Sequence, residues 1–534
     1  MTGQTYPKPI DQPAIAGDTG AVPPLFGSVL YRSAPDGGAT GAAEPAYFKD
    51  LNLDQLCASL NEGREAYELA PIFYAKLHDV ADVAYRHEVM AELEREDVAS
   101  TVRSFAAQMT NMRRRLTSAA KLRDPHQRER WFLDAVAGYC QAVGGFDQAL
   151  ERLTLKSEAL RGFRAYLRGY LNSQPFQELS ADTVKLREEL EGVRYSVLIN
   201  GLRVSVGEYE EAPDLTWKIQ ETFSKFRQSD VEEHRVEYRK RLETDSVEER
   251  ILALLAEVFP DVFHHASSYL AQHQKNYLDP VVARFDREIQ FYLSYLEYIA
   301  PLRQQGLSFC YPVVSVTDKR LTAQDAFDLP LARKLQQAGA RVTCNDVSLT
   351  PPERIIVVSG PNQGGKTTFS RMFGQLYHLA ALGLPVPGSE AVIFLPDEIY
   401  THYEREEDLS TLRGKFEDEL WRLHEIMSVA TGSSVLLMNE SFSSTTLHDA
   451  RWVGERVLQM VIDRDMVCLC VTFIDELASL SDTVVSMMST VDPDDLSVRT
   501  FKVIRKPADG LAYAQALAEK HGISYAQIKA RFPR

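Results

Sequence analysis

Apolar residues recur every three to four positions through Phe73–Leu93, Phe132–Leu150 and Ile251–Leu270, the spacing that lines one face of an α-helix. This helical rhythm runs from about Phe48 to Leu307, and Pro260 and Pro280 divide its last part into segments. One stretch breaks the period. Tyr195–Val206 alternates apolar and polar residues on both sides of Asn200-Gly201, and Asn-Gly supplies the positive φ angles of a tight type I′ turn. A β-hairpin inserted among helices is therefore predicted.

Beyond about Val342 the pattern changes to short apolar runs alternating with helical stretches. Ile355–Val358, Ala391–Phe394, Ser434–Met438 and Met466–Val471 read as strands. Thr368–Leu382, Phe416–Thr431 and Asp449–Asp463 read as helices, so an α/β domain with a mostly parallel sheet is expected. Gly510–Arg531 returns to a helical pattern. Residues 1–46, rich in Pro, Gly, Ala and Thr without a period, read as a disordered or flexible arm. The expected fold class is multidomain α plus α/β. An arm (1–46) precedes a helical region (47–341) that carries the hairpin insertion at about 185–245, and an α/β domain (342–534) follows.

Gly360-Pro361-Asn362-Gln363-Gly364-Gly365-Lys366-Thr367 has the form G-x-x-x-x-G-K-[ST], set between the apolar run Ile355–Val358 and the helical stretch from Thr368. Glycines there let backbone N–H groups close around phosphate oxygens, and the helix N-terminus adds a favourable potential. Lys366 is placed to reach the outer phosphates and Thr367 to ligate Mg²⁺. A Gly-rich turn between strand and helix is the bland alternative, and the flanking pattern argues against it. The nucleotide-binding candidates are thus Gly360 through Thr368, with ATP and Mg²⁺ as the implied ligands. Ser434–Met438 ends in Asn439-Glu440. At such a strand end an acidic residue orients the metal's water shell, and the following glutamate polarises the attacking water. Here the first position is the neutral Asn439, which accepts a hydrogen bond but lacks the attraction of a full charge. Glu440, Asn439 and Lys366 are the catalytic candidates.

Composition narrows the class. A chain of 534 residues is long enough for two to four domains, and 45% hydrophobic with 25% charged residues fits a folded globular protein. No run approaches the ~20 apolar residues that span a bilayer, and Met1–Pro7 lacks the features of a signal peptide. The six cysteines are scattered without a C-x-x-C pair, and Cys468 and Cys470 alternate with apolar residues as in a buried strand. A reduced cytoplasmic location with no membrane partner is expected. The net charge of −16 argues against a uniformly basic nucleic-acid binder but leaves local basic surfaces open. Glu232–Glu243, with Arg235, Arg239, Lys240 and Arg241, reads more readily as a solvated helix face than as a nucleic-acid contact.

Several further segments connect the chain to a family. It resembles the MutS proteins of DNA mismatch repair, in their C-terminal ATPase domain and the helical core and lever before it. Gly360–Thr367 is similar to the family's G-P-N-M-G-G-K-S/T, with Gln363 in place of Met. Asn345-Asp346 resembles the N-D pair before the first ATPase strand. Asn439–Ala450 aligns without gaps to D-E-I-G-R-G-T-S-T-x-D-G, Thr472–Leu477 to T-H-Y-x-E-L, and Gly510–Ala514 weakly to S-Y-G-x-x-V-A. The likeness covers roughly residues 48–534 and is strong from 343 onward. It implies an ABC-type P-loop ATPase that pairs as a homodimer, with the hairpin as a reduced clamp touching DNA backbone. Departures are equally informative: Asn439 replaces an aspartate and Phe473 a histidine. In Asp408–Phe416, similar to D-D-L-x-x-x-R-S-T-F, Gly414 stands where the family's serine reaches the partner's ATP, and Lys415 replaces threonine. Lys415 is accordingly a candidate to supply charge to a γ-phosphate across the dimer. With the helical region starting near residue 48, no mismatch-reading domain is expected, nor a nuclease-type domain after the ATPase. The resemblance implies a nucleotide-gated DNA clamp acting in repair or recombination. The alternative is a slow or non-hydrolysing switch that binds protein rather than DNA.

Overall fold

The computed structural model describes residues 26–32, 42–200, 203–209, 246–405, 414–492, 495, 498–508 and 525–531. The chain divides into two compact units, one of residues 1–26, 97–154 and 161–283, the other of residues 27–96, 155–160 and 284–534. Mixed helix and sheet, distributed between a helical and an α/β part, agrees with the expected class.

Long amphipathic helices build the first unit. Glu96–Ala119 and Pro125–Glu151 form a pair, joined by a short connection. Asp124 caps the second helix by accepting from Gln127 N at 2.8 Å, and Pro125 occupies its first turn, where no N–H is needed. The pair is zipped by stacked rings of Phe105 and Phe146, 4.3 Å between centroids. Most of helix Glu158–Leu171 and helices Gln174–Gly192, Ser246–Val258 and Pro260–His273 also belong to the unit, and Pro260 and Pro280 do start new helices.

The hairpin forms from Tyr195–Asn200 and Arg203–Glu208. Its register pairs Tyr195 with Glu208 and Asn200 with Arg203. Gly201 and Leu202 lie outside the described residues, as does the charged stretch Glu232–Glu243.

In the second unit a six-stranded sheet carries the core. Its strands are β1 (Ile355–Ser359), β2 (Ile399–Tyr403), β3 (Val435–Asn439), β4 (Val467–Val471), β5 (Val484–Val491) and β6 (Arg499–Arg505), in spatial order β2-β3-β4-β1-β5-β6. The first five in that order run parallel, and β6 closes the edge antiparallel to β5. Strands β1, β3 and β4 are buried along their whole length, as continuous apolar runs require in a parallel sheet covered by helices. Helices α1 (Lys366–Ala381), α2 (Lys415–Val429) and α3 (Leu447–Asp463) pack on it. Leu423 and Met427 of α2 and Val453, Val457 and Val461 of α3 share one core cluster with Leu436, Met438, Cys468 and Cys470, so both strand cysteines are packing residues. Glu390–Phe394, expected in the parallel sheet, belongs instead to a separate four-stranded sheet with Val313–Ser315, Leu321–Ala326 and Asn345–Leu349. The parallel sheet takes Ile399–Tyr403, whose mixed residues gave no apolar run.

Residues 27–32, expected within a flexible arm, are built into this unit. Glu288 accepts from Ser28 Oγ at 2.7 Å and from Val29 N at 2.9 Å, while Val29 O accepts from Tyr292 Oη at 2.6 Å. Val29 and Leu30 are buried. The segment is too short to show a period, and its order comes from distant partners. Among the described residues no helix is long and apolar enough to cross a membrane.

Candidate nucleotide site

Strand β1 delivers the chain to a loop that turns back into α1 through three left-handed residues, Gly360 (φ 112°), Gln363 (φ 61°) and Gly365 (φ 91°). A Cβ on Gly360 or on Gly364 would lie 2.6 Å from Ser489 Oγ, so β5 leaves no room for a side chain at either position. The Lys366 ammonium folds back into the loop and donates to Gly360 O at 3.0 Å, Pro361 O at 3.1 Å and Asn362 Oδ1 at 3.3 Å. Burial pushes its pKa down, Glu440 pulls it back up, and Arg499 adds to the lowering. Thr367 and Thr368 are half-buried in the first turn of α1, while Asn362 and Gln363 are exposed. Strand β6 braces the loop from the other side, where Arg499 Nε donates to Asn362 O at 3.2 Å. Asn345 ties that strand down, accepting from Val503 N at 2.8 Å and donating to Phe501 O at 3.3 Å.

The sheet register brings the second group of residues alongside. Asn439 is paired with Val471, and Val471 with Val358, so β3, β4 and β1 end in one row. Two strand spacings, roughly 10 Å, separate the outer members of that row. From it emerge Asn439-Glu440, Thr472-Phe473 and the glycine-rich loop Gly360–Thr367. Glu440 N donates to Val471 O at 2.9 Å, and Thr472 N to Val358 O at 3.1 Å. Asn439 is buried and its Oδ1 has no hydrogen-bond partner; the buried Ser359 Oγ lacks one as well. Phe473 is 52% exposed.

Past Asn439 the backbone is unusual. Glu440 (φ 52°) and Phe442 (φ 66°) both adopt the left-handed conformation, which costs a residue with a Cβ about 1–2 kcal/mol. Glu419 of α2 holds this segment. Its Oε2 accepts from Phe442 N at 3.0 Å and from Ser444 Oγ at 3.3 Å, while its Oε1 is buried without a partner. Burial pushes the Glu419 carboxyl up, with these two donors opposing. His402 of β2 adds a second tether. Its Nε2 faces Glu419 O at 3.0 Å, a group that only accepts, so Nε2 carries the proton and Nδ1 accepts from Ser441 Oγ at 2.7 Å. Burial holds the imidazole at about 4.

Not every expected residue joins. Lys415 Nζ bonds Glu404 Oε1 of its own chain at 2.5 Å, and residues 406–413 of the segment expected to reach a partner lie outside the described residues. Gly510–Ala514 lies outside them too. Ser489, Arg499, Glu419 and His402 escaped the sequence reading because each is far along the chain and belongs to no local pattern. For a magnesium nucleotide the residues present fit: two glycines that admit no Cβ, a lysine in the loop, a hydroxyl at Thr367 and an orphaned acceptor at Asn439. Among the described residues no group of three or more His, Cys, Asp or Glu is gathered to hold a metal by itself.

Residues 356–530, from β1 to the helix Tyr525–Arg531, match the family MutS domain V. That segment of the chain is MutS-like. The chain is 24% identical over 281 residues to the DNA mismatch repair protein MutS of Shouchella clausii, a stretch of 52% of this chain and 30% of that one. Against MutS of Erythrobacter litoralis it is 30% identical over 177 residues, 33% of this chain and 20% of the relative. Endonuclease MutS2 of Gemmatimonas aurantiaca is 27% identical over 197 residues, 36% of this chain and 24% of the relative. The MutS-like chain thus matches a third or less of the length of each of these relatives.

Proposed function

We propose that this MutS-like chain binds ATP with Mg²⁺ at Gly360–Thr368 of an ABC-type P-loop ATPase domain and uses nucleotide state to gate a grip on DNA. The observation that carries the reading is the alignment of the phosphate loop, Thr472 and Asn439-Glu440 along one row of parallel strand ends. Lys366 is the group for the outer phosphates, exchanging its three loop oxygens for phosphate oxygens of similar geometry. The Thr367 hydroxyl is the metal ligand, and Asn439 Oδ1 is free to accept from a metal-bound water. When bound, Mg²⁺ offsets charge on the phosphate oxygens. Glu440 is the base that orients and deprotonates the attacking water. Two chains pair through the ATPase domain, with Lys415 released from Glu404 to face the partner's nucleotide, and the Tyr195–Glu208 hairpin serves as a DNA-backbone clamp in repair or recombination.

Steady-state ATP turnover beside Glu440→Gln tests the chemistry. Removing a general base lowers turnover about 10²- to 10⁴-fold, with nucleotide affinity retained. Indistinguishable rates favour the second reading, a nucleotide-dependent switch that hydrolyses slowly or not at all. Neutral Asn439, exposed Phe473 and the intramolecular Lys415–Glu404 pair support that alternative. Titration of linear and four-way DNA at several salt concentrations tests the output, because phosphate contacts impose a steep salt slope. No binding at low salt, with or without ATP, removes the DNA clamp and leaves a protein-binding switch.

A further inference from the structure

In a chain of net charge −16, the bend between helices Glu96–Ala119 and Pro125–Glu151 concentrates positive charge. Arg114 and Arg115 lie near the end of the first helix, Lys121 and Arg123 in the connection, and Arg128 in the opening turn of the second; all five are exposed. The carboxylates close by are committed elsewhere. Asp124 caps the second helix through Gln127 N at 2.8 Å. Glu129 is buried, 2.6 Å from Ser267 Oγ and 3.2 Å from His126 Nδ1. Asp134 pairs with Arg130 at 3.3 Å. Among the described residues no carboxylate forms an ion pair with any of the five cations; Arg114 donates to the neutral Asn111 Oδ1 at 3.0 Å. Arg128 also opposes the dipole of its own helix, so it gains nothing locally. Five unneutralised charges within a few turns of a helical hairpin raise the local potential, and a polyanion relieves their repulsion.

This bend lies at the end of the helical unit from which the hairpin springs. The His126 ring is 4.8 Å from that of Phe263, and His265 Nδ1 on the same helix is 2.8 Å from Glu189 Oε2. Glu189 sits in the last turn of Gln174–Gly192, which leads directly to Tyr195, and Arg194 and Arg203 of the hairpin are exposed as well. The bend exposes no large aromatic or aliphatic side chain, so it offers charge without a surface for base stacking.

We propose that Arg114, Arg115, Lys121, Arg123 and Arg128 form a contact surface for the phosphate backbone of duplex DNA, adjoining the hairpin root. The assignment rests on the DNA-binding reading above and gives it a second footprint. Contact is independent of sequence, because charge on a backbone carries no base information.

The test uses the full chain and a labelled random-sequence duplex titrated over a range of KCl concentrations. A variant with all five residues changed to Gln is compared with wild type, with ATP binding as the check on folding. Five contacts contribute about −4.5 to the slope of log affinity against log salt. The expected result is a slope shallower by about 4 and affinity at low salt reduced at least tenfold, with ATP affinity unchanged. Wild-type binding with the same slope in the variant overturns the bend surface and leaves the DNA reading standing. Wild type that binds no duplex overturns both. A loss seen with single-stranded DNA alone overturns the duplex assignment. Arg194→Gln with Arg203→Gln, made separately, keeps the hairpin's share distinct; if that pair accounts for the whole salt slope, the bend is not a contact.

Discussion

The glycine-rich loop Gly360–Thr367 and the segment after β3 both leave the same row of strand ends, yet they are stabilised differently. In the loop, two of three left-handed angles fall on glycines, Gly360 and Gly365, and the Lys366 ammonium is bonded to oxygens of that loop. After β3, both left-handed angles fall on residues with side chains, Glu440 and Phe442, and the tethers come from Glu419 and His402 on other elements. Phe442 stands where the resembling family has glycine, and its ring is buried at 2% exposure against His402. The loop's shape is thus local, whereas the shape around Glu440 is imposed from outside. The proposed nucleotide binding and hydrolysis should therefore respond to different perturbations.

The largest separation is expected from Lys366→Ala. Loss of a buried charge-assisted contact costs roughly 2–5 kcal/mol, so ATP affinity falls about 30-fold or more while the fold is kept. A fluorescent-nucleotide titration showing less than a threefold change would place the phosphate contact elsewhere. Glu419→Ala perturbs the opposite side. It removes the acceptor for Phe442 N–H and Ser444, an interaction of about 1.5–3 kcal/mol, and amide exchange should accelerate at Phe442 with ATP affinity within about twofold of wild type. Unchanged exchange there would mean that Glu419 does not hold the segment.

Acid should act on the same side. His402 stays neutral in the folded protein down to about 4, whereas an unfolded histidine takes up a proton below ~6.5. The folded pKa is depressed, so stability falls as pH drops through that window, by about 2 kcal/mol at pH 5. Urea unfolding at pH 7 and pH 5 should show that loss, reduced in His402→Gln; equal losses in both proteins would assign the effect to other groups. The smallest effect is expected from Asn439→Asp. A carboxylate beside the metal's water shell strengthens its hold, and the Mg²⁺ concentration for half-maximal nucleotide-dependent response should fall about threefold to tenfold. A rise instead would show that the buried charge costs more than the metal returns.

Legibility followed sequence distance. Strands β1, β3 and β4 and helices α1–α3 were visible because their burial writes a continuous or periodic apolar pattern. Strand β2, with Tyr400, Thr401 and His402, wrote none, and β5 and β6 were missed as well. Residues 27–32 looked like a featureless arm, since Glu288 and Tyr292, which order them, lie some 260 positions away. The two hairpin strands were readable because both alternate apolar and polar residues.

By itself the sequence determined the glycine-rich loop, its flanking strand and helix, and the resemblance to MutS, because each depends on residues within a few positions of one another. Only the tertiary structure decided that Ser489 forbids side chains at Gly360 and Gly364, and that Glu419 and His402 hold Phe442 in a left-handed conformation. It likewise decided that Lys415 is bound to Glu404. Such contacts join segments with no shared pattern, and packing creates them when the strands align.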